Sequence, residues 1–333
     1  MKIFLTGATG LVGAHTALAL LQAGHQLRLL VRNKQAAIDY FSQQGYMLDD
    51  FVVSDMLDKE TVKKHMQGCD AVVHAAAIVD LDARNAEKTL RVNLQSIDSI
   101  IGSACELNIP KILYVSSMSA FYMPGAKEVN EESPLVDVND AYTKSKKICE
   151  EKVRELQAKG HPIISTYPSS VVGPYDPKMS ESTSAIIKFI NLMVPITSSG
   201  MQYIDVRDLG RAHALLLDKP LEDNKEQERY MISGVFMPWR DFANTLDKAH
   251  GRSVRRVYVP GAVFRGIGFV FDAFRLLVPI SFPLSIEATK MITQLPSANS
   301  SKLLKTLDFE YRQPHETFSD TIDWLKEKNH IKR

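Results

Sequence analysis

Apolar residues in the first half of the chain come in short β-rich runs, each followed by a longer stretch with helical spacing. The runs Ile3–Thr6, Leu27–Val31, Phe51–Ser54, Ala71–Ala75, Ile112–Ser116 and Ile163–Tyr167 read as strands. Between them, Leu11–Ala23, Lys59–Gln67, Arg91–Leu107 and Ala141–Lys159 read as helices. Strands that alternate with helices imply βαβ units, right-handed crossovers and a doubly wound parallel sheet covered on both faces. After about residue 170 the rhythm changes. Pro168, Pro174 and Pro177 break the chain, and residues 180–200 and 235–333 read as mostly helical with short links. One more strand–helix step is expected over Gln202–Leu217, and residues 221–229 (LEDNKEQER) read as a solvated loop.

The expected organisation is a doubly wound α/β domain over residues 1–170, with the returning segment near 202–217, and a smaller, mostly helical lobe over 171–201 and 218–333. The length of 333 residues suits about two domains of 100–200 residues each. With 40 Lys+Arg against 39 Asp+Glu, the net charge of +1 gives no support to a nucleic-acid binder held by a basic surface. Cys69, Cys105 and Cys149 are odd in number and far apart, with no CxxC, so neither a disulfide framework nor a metal site is expected. A reducing, cytoplasmic compartment is the simpler reading. No run of about 18 uncharged apolar residues occurs, and residues 261–285, the nearest approach, carry Arg265, Asp272 and Arg275. Within it the stripe Phe264, Ile267, Phe271 and Phe274 admits three roles: core, pocket lining or a peripheral membrane contact.

The first strand runs into Gly7-Ala8-Thr9-Gly10-Leu11-Val12-Gly13 and then a helix rich in Ala and Leu. This spacing allows a tight turn, close approach of a pyrophosphate and close helix–sheet packing, the features of a Rossmann dinucleotide site. Backbone N–H groups over Thr9, Gly10, Leu11 and Val12 would meet the phosphates at the helix start. An NAD site usually carries Asp or Glu at the end of the second strand. Here Arg32 stands there, which suits the 2′-phosphate of NADP(H) in charge and fork geometry. Asp55 and Met56, after the third strand, are placed to bracket an adenine.

Tyr142 and Lys146 lie at i and i+4 on a helix and so share a face. An ammonium beside a phenol favours the phenolate, which makes the phenol a better acid–base group. Ser117 follows the fifth strand at the carboxyl edge, where open parallel sheets bind ligands, and its hydroxyl can hold a substrate oxygen.

With these motifs in order, the chain resembles the extended short-chain dehydrogenases/reductases of the NAD-dependent epimerase/dehydratase superfamily. TGATGLVG, Asp55-Met56, His74-Ala75-Ala76-Ala77, Val92-Asn93, YVSSMSA, Tyr142…Lys146, YPSSVVGP and YIDVRD all match, over residues 1 to about 217. The resemblance implies Ser117, Tyr142 and Lys146 as the catalytic set. It puts Ala75, Ala76 and Ala77 along the cofactor and Pro168, Ser169, Ser170 and Val171 at the nicotinamide, with Asn93 as the family's structural asparagine. Members often dimerise through helices that would include Ala141–Lys159, so a homodimer is a further expectation. Sugar-nucleotide dehydratases carry Asp-Glu where this chain has Met118-Ser119, and many epimerases carry Arg where it has Met201.

What remains is the dihydroflavonol-reductase-like and 3β-hydroxysteroid-dehydrogenase-like branch. The implied activity is hydride transfer between NADPH and a bulky apolar carbonyl compound. A sugar-nucleotide epimerase and a silent NADP(H) sensor are the alternatives. Phe121, Tyr122 and Met123 are expected to overhang the pocket, with Phe236 and Trp239 adding apolar surface.

Overall fold

The computed structural model describes residues 1–79, 83–123, 125–136, 141–275 and 286–332. Its strands in chain order are β1 (Lys2–Thr6), β2 (Gln26–Val31), β3 (Phe51–Val53), β4 (Ala71–His74), β5 (Lys111–Val115), β6 (Glu128–Val129), β7 (Ile163–Pro168), β8 (Ser170–Val172), β9 (Val194–Ile196), β10 (Gly200–Asp205), β11 (Arg229–Ile232), β12 (Val235–Pro238), β13 (Arg256–Tyr258) and β14 (Ser297–Ala298). Seven of them form one parallel sheet in the order β11-β7-β5-β4-β1-β2-β3.

Side chains alternate across this sheet as the period of two requires. Ile3, Leu5, Leu29, Val73 and Leu113 face one buried cluster with the helices Leu11–Gln22 and Val206–Asp218. Phe4, Leu30, Val72, Ile112 and Tyr114 face the other, with helices Lys59–Met66 and Ala141–Ala158. Both faces are therefore apolar, and burial of each such Leu, Ile or Phe is worth about 1.5–3 kcal/mol. The free thiols of Cys69, Cys105 and Cys149 are buried in the second layer, where desolvation pushes Cys105 and Cys149 up to about 11.

Six strands and four helices fall where the hydrophobic pattern puts them, to within a residue or two at most ends. The expected helix Arg91–Leu107 starts earlier, at Ala86, and passes through a wider turn at Ile97–Gly102 before ending with Ser103–Glu106.

The second half is mostly helical, with short strands between its helices. β10 belongs to a separate three-stranded sheet, β12-β10-β8, which packs on helices Trp239–His250 and Pro314–Glu327. β11 returns to the edge of the main sheet beside β7. The charged stretch before it is not wholly solvated: Glu228 is fully buried, 3.0 Å from Lys219 Nζ, and accepts the Tyr230 hydroxyl at 3.0 Å. The cost of burying that carboxylate is offset by the ammonium and phenol beside it.

Candidate active site

The carboxyl ends of β1, β4, β5 and β7 open on one edge, and the chemistry-bearing residues gather there. At β1 the chain turns through Gly7 with φ +85°, and a Cβ on Gly7 would sit 2.7 Å from the Ala75 carbonyl carbon and the Ala76 nitrogen. Gly13 is as tight, since its Cβ would lie 2.3 Å from the Gly7 oxygen. The loop thus presses against both the end of β4 and its own helix. Helix Leu11–Gln22 begins at Gly10 with no side-chain cap and no acidic residue in its first turn. Its first N–H groups have no intrahelical acceptor and point at the loop. This cradle fits a dinucleotide pyrophosphate, with Ala75 and Ala76 half-buried alongside and Ala77 exposed.

Arg32 follows β2 and is exposed, with no carboxylate partner among the described residues. Asp55 is exposed too, and one of its oxygens accepts the Leu57 N–H at 2.9 Å. Met56 packs against the helix layer, and its carbonyl accepts the Ser99 hydroxyl.

Lys146 is buried, and its Nζ donates to the carbonyl of Val115, the last residue of β5, at 3.2 Å. The same ammonium lies 5.9 Å from the centre of the Tyr142 ring and 5.8 Å from that of Tyr114. Tyr142, Lys146 and the β5 end carrying Ser117 are thereby brought together. Ser117 begins a 3₁₀ turn, Met118–Phe121, and its Oγ accepts the Ser119 N–H at 3.1 Å. Pro168 ends β7, and Ser170 and Val171 open β8. Ser169 between them donates to the Ser233 carbonyl at 2.8 Å, which ties this bend to the end of β11.

A buried polar chain underlies the set. Asn93 holds Ile78 through both backbone groups and donates to Ser145 Oγ at 3.0 Å. Ser145 donates to the Tyr142 carbonyl at 2.7 Å. His74 lies between Thr6 Oγ1 at 2.8 Å and Ser96 Oγ at 3.1 Å. Ser96 spends its proton on the Asn93 carbonyl, so it accepts from His74 Nε2–H, and His74 Nδ1 accepts from Thr6. Burial and, second, the charge of Lys146 hold this imidazole neutral, at about 3. The sequence offered His74 only as part of a motif, and the contacts of Thr6 and Ser96 with it join residues more than 20 positions apart.

Several expected pocket residues lie elsewhere. Phe121 is fully buried edge-on to Tyr167, with ring centres 4.7 Å apart, because the 3₁₀ turn folds it inward. Tyr122 is buried as well, and of the three only Met123 is exposed. Trp239 sits in the core of the second lobe against Phe189 and Phe242, with Nε1–H donating to the Ile292 carbonyl at 2.8 Å. Phe236 is half-buried, and Met201 is buried in the same lobe. On helix Gly261–Arg275, Phe264 and Phe271 are half-buried, whereas Ile267, Phe269 and Val270 are exposed. The Phe274 and Arg275 side chains and residues 276–285 lie outside the described residues. No helix among the described residues is long and apolar enough to cross a membrane.

The NAD dependent epimerase/dehydratase family matches residues 3–233. The chain belongs to that family. As an extended short-chain dehydrogenase/reductase it is an NAD(P)-dependent enzyme of alcohol and carbonyl chemistry. It is similar to a putative dihydroflavonol 4-reductase of Synechocystis, 26% identical over 99% of this chain and 96% of that protein. Cinnamoyl-CoA reductase 1 of Petunia hybrida is 23% identical over 99% of this chain and 93% of its own length. In fold, the crystal structure of gox2253 superposes with a TM-score of 0.84 at 25% identity, covering 99% of each chain.

Proposed function

We propose that this family member is an NADPH-dependent reductase of bulky apolar ketones or aldehydes, with Tyr142 as the general acid. The observation that carries the reading is the Lys146 ammonium, pinned to the Val115 carbonyl at 3.2 Å with the centre of the Tyr142 ring 5.9 Å away. Residues 1–170 and the segment near 202–217 form the cofactor half, and the remainder shapes the substrate pocket. Gly7, Thr9, Gly10, Leu11 and Val12 hold the pyrophosphate. Arg32 takes the 2′-phosphate, Asp55 and Met56 bracket the adenine, Ala75–Ala77 line the cofactor and Pro168–Val171 contact the nicotinamide.

The reduced nicotinamide supplies the hydride when bound. The rest is done by this chain. Ser117 donates to the substrate oxygen and fixes its place. Tyr142 gives its phenolic proton to that oxygen as negative charge develops. Lys146 holds the ribose hydroxyls and stabilises the phenolate left behind. Fixed donors aimed at a developing oxyanion are worth about 3–4 kcal/mol each. The similarity to reductases of dihydroflavonol and cinnamoyl-CoA supports an aromatic or comparably apolar substrate. Met118-Ser119 and the buried Met201 leave no acid–base pair and no cation for a sugar diphosphate at those positions.

The test is NADPH consumption with a panel of hydrophobic ketones and aldehydes. One NADPH should be oxidised per carbonyl reduced. Interconversion of a sugar nucleotide with no net loss of NADPH would contradict it.

A further inference from the structure

Residues 173–180 cross from the end of β8 to the helix Glu181–Asn191, and the nucleotide-binding half holds this strap down. His15 Nε2–H donates to the Pro174 carbonyl at 3.0 Å, and the Tyr40 hydroxyl donates to the Tyr175 carbonyl at 3.2 Å. Asp176 is buried and accepts from the backbone of Lys178 at 3.0 Å, and from Ser180 N–H and the Thr183 hydroxyl at 2.7 Å each. Tyr175 and Met179, on either side, take φ of +60° and +51°. Strained backbone of this kind persists only where its surroundings hold it.

The strap delivers one cation. Lys178 Nζ donates to Thr9 Oγ1, inside the glycine loop, at 3.0 Å. Burial and, second, the positive charge of Arg32 both push this ammonium toward the neutral form. Neither Lys178 nor Arg32 has a carboxylate partner among the described residues, and both oxygens of the nearby Asp176 are already taken. Lys178 is bonded to Thr9 and close enough to Arg32 for the guanidinium charge to act on it, and two such like charges together favour an anionic guest. An ammonium has three donors, and Thr9 uses one. The end of β2 is where a dinucleotide presents its adenosine ribose.

We propose that Lys178 is a second cation for the 2′-phosphate of NADP(H), acting with Arg32 and Thr9. This rests on the NADP(H) reading above and adds a residue from outside the glycine loop and β2. It makes the strap a determinant of cofactor choice.

The test is titration calorimetry of the whole protein with NADP⁺, NAD⁺, 2′,5′-ADP and 5′-AMP. Lys178→Met is expected to weaken NADP⁺ and 2′,5′-ADP by about tenfold or more and NAD⁺ and 5′-AMP by less than about twofold. Retained NAD⁺ binding shows that the variant is folded. Lys178→Arg is expected to keep most of the preference. Equal losses for NADP⁺ and NAD⁺ would overturn the proposal, because the ammonium would then serve the pyrophosphate or the fold. An unchanged preference in Lys178→Met with a lost one in Arg32→Met would overturn it while leaving the NADP(H) reading standing. A wild-type protein without preference would overturn both.

Discussion

Asn93 Nδ2 donates to Ser145 Oγ at 3.0 Å, and the Ser145 hydroxyl in turn donates to the carbonyl of Tyr142 at 2.7 Å. The first turn of the helix that carries Tyr142 and Lys146 is thus tied to a residue that also clamps Ile78 after β4. Asn93 is a positioning residue in this account. Asn93→Ala should cost about 1–3 kcal/mol of stability, since it leaves buried partners unpaired. It should also lower kcat by about tenfold with a smaller change in KM. Urea unfolding and steady-state kinetics on one preparation check both. A stability loss with kcat unchanged would reduce Asn93 to a purely structural role.

Gly13 has no room for a side chain, because its Cβ would meet the Gly7 oxygen at 2.3 Å. Gly13→Ala must push the helix off the loop. Overpacking of this kind typically costs about 1–3 kcal/mol. NADP⁺ affinity should fall by at least about tenfold, and calorimetry reads it. Gly24→Ala is the control: nothing lies within 4 Å of the added methyl, but the φ of +83° there still strains it. Its stability should drop without any effect on cofactor affinity.

Three histidines make the fold acid-sensitive. Burial lowers His15 to about 4, against the opposing pull of its bond to Pro174, and lowers His74 and His213 to about 3. His213 is held between the Thr16 and Thr166 hydroxyls at 2.8 and 3.1 Å. The folded values lie below the unfolded value of about 6.5, so the unfolded chain binds more protons in between. The contribution is complete above about pH 6.5 and is lost as pH falls toward 3–4. Each ring costs about 1.4 kcal/mol per pH unit within that window. The urea midpoint should therefore fall steadily from pH 7 to pH 5, and less steeply in His213→Gln. A midpoint that does not change with pH would contradict these assignments.

The central strands β1, β4, β5 and β7 were legible because they are buried on both faces. Ile3, Phe4 and Leu5 form an apolar run, and Gly7 and Gly13 after it have a steric reason to be glycine. The edge strand β11 was not legible. It has four residues, follows a charged stretch, and hides Glu228, whose burial depends on Lys219 and Tyr230. Phe121 and Trp239 were misplaced for a related reason. An aromatic residue near a site reads the same whether it lines a pocket or fills a core, and only the 3₁₀ turn and the contacts with Phe242 decide. Lys178 gave no signal, since its meaning comes from Thr9, 169 positions away.

The most direct measurement is the rate of NADPH oxidation by Tyr142→Phe with the best carbonyl substrate from the panel. The phenolic oxygen is removed, whereas the helix, Lys146 and Ser117 remain. General acid catalysis is typically worth 10²–10⁴-fold. The kcat is expected to fall by about that much while NADP⁺ affinity stays within about threefold of wild type. Full turnover in Tyr142→Phe would contradict Tyr142 as the general acid.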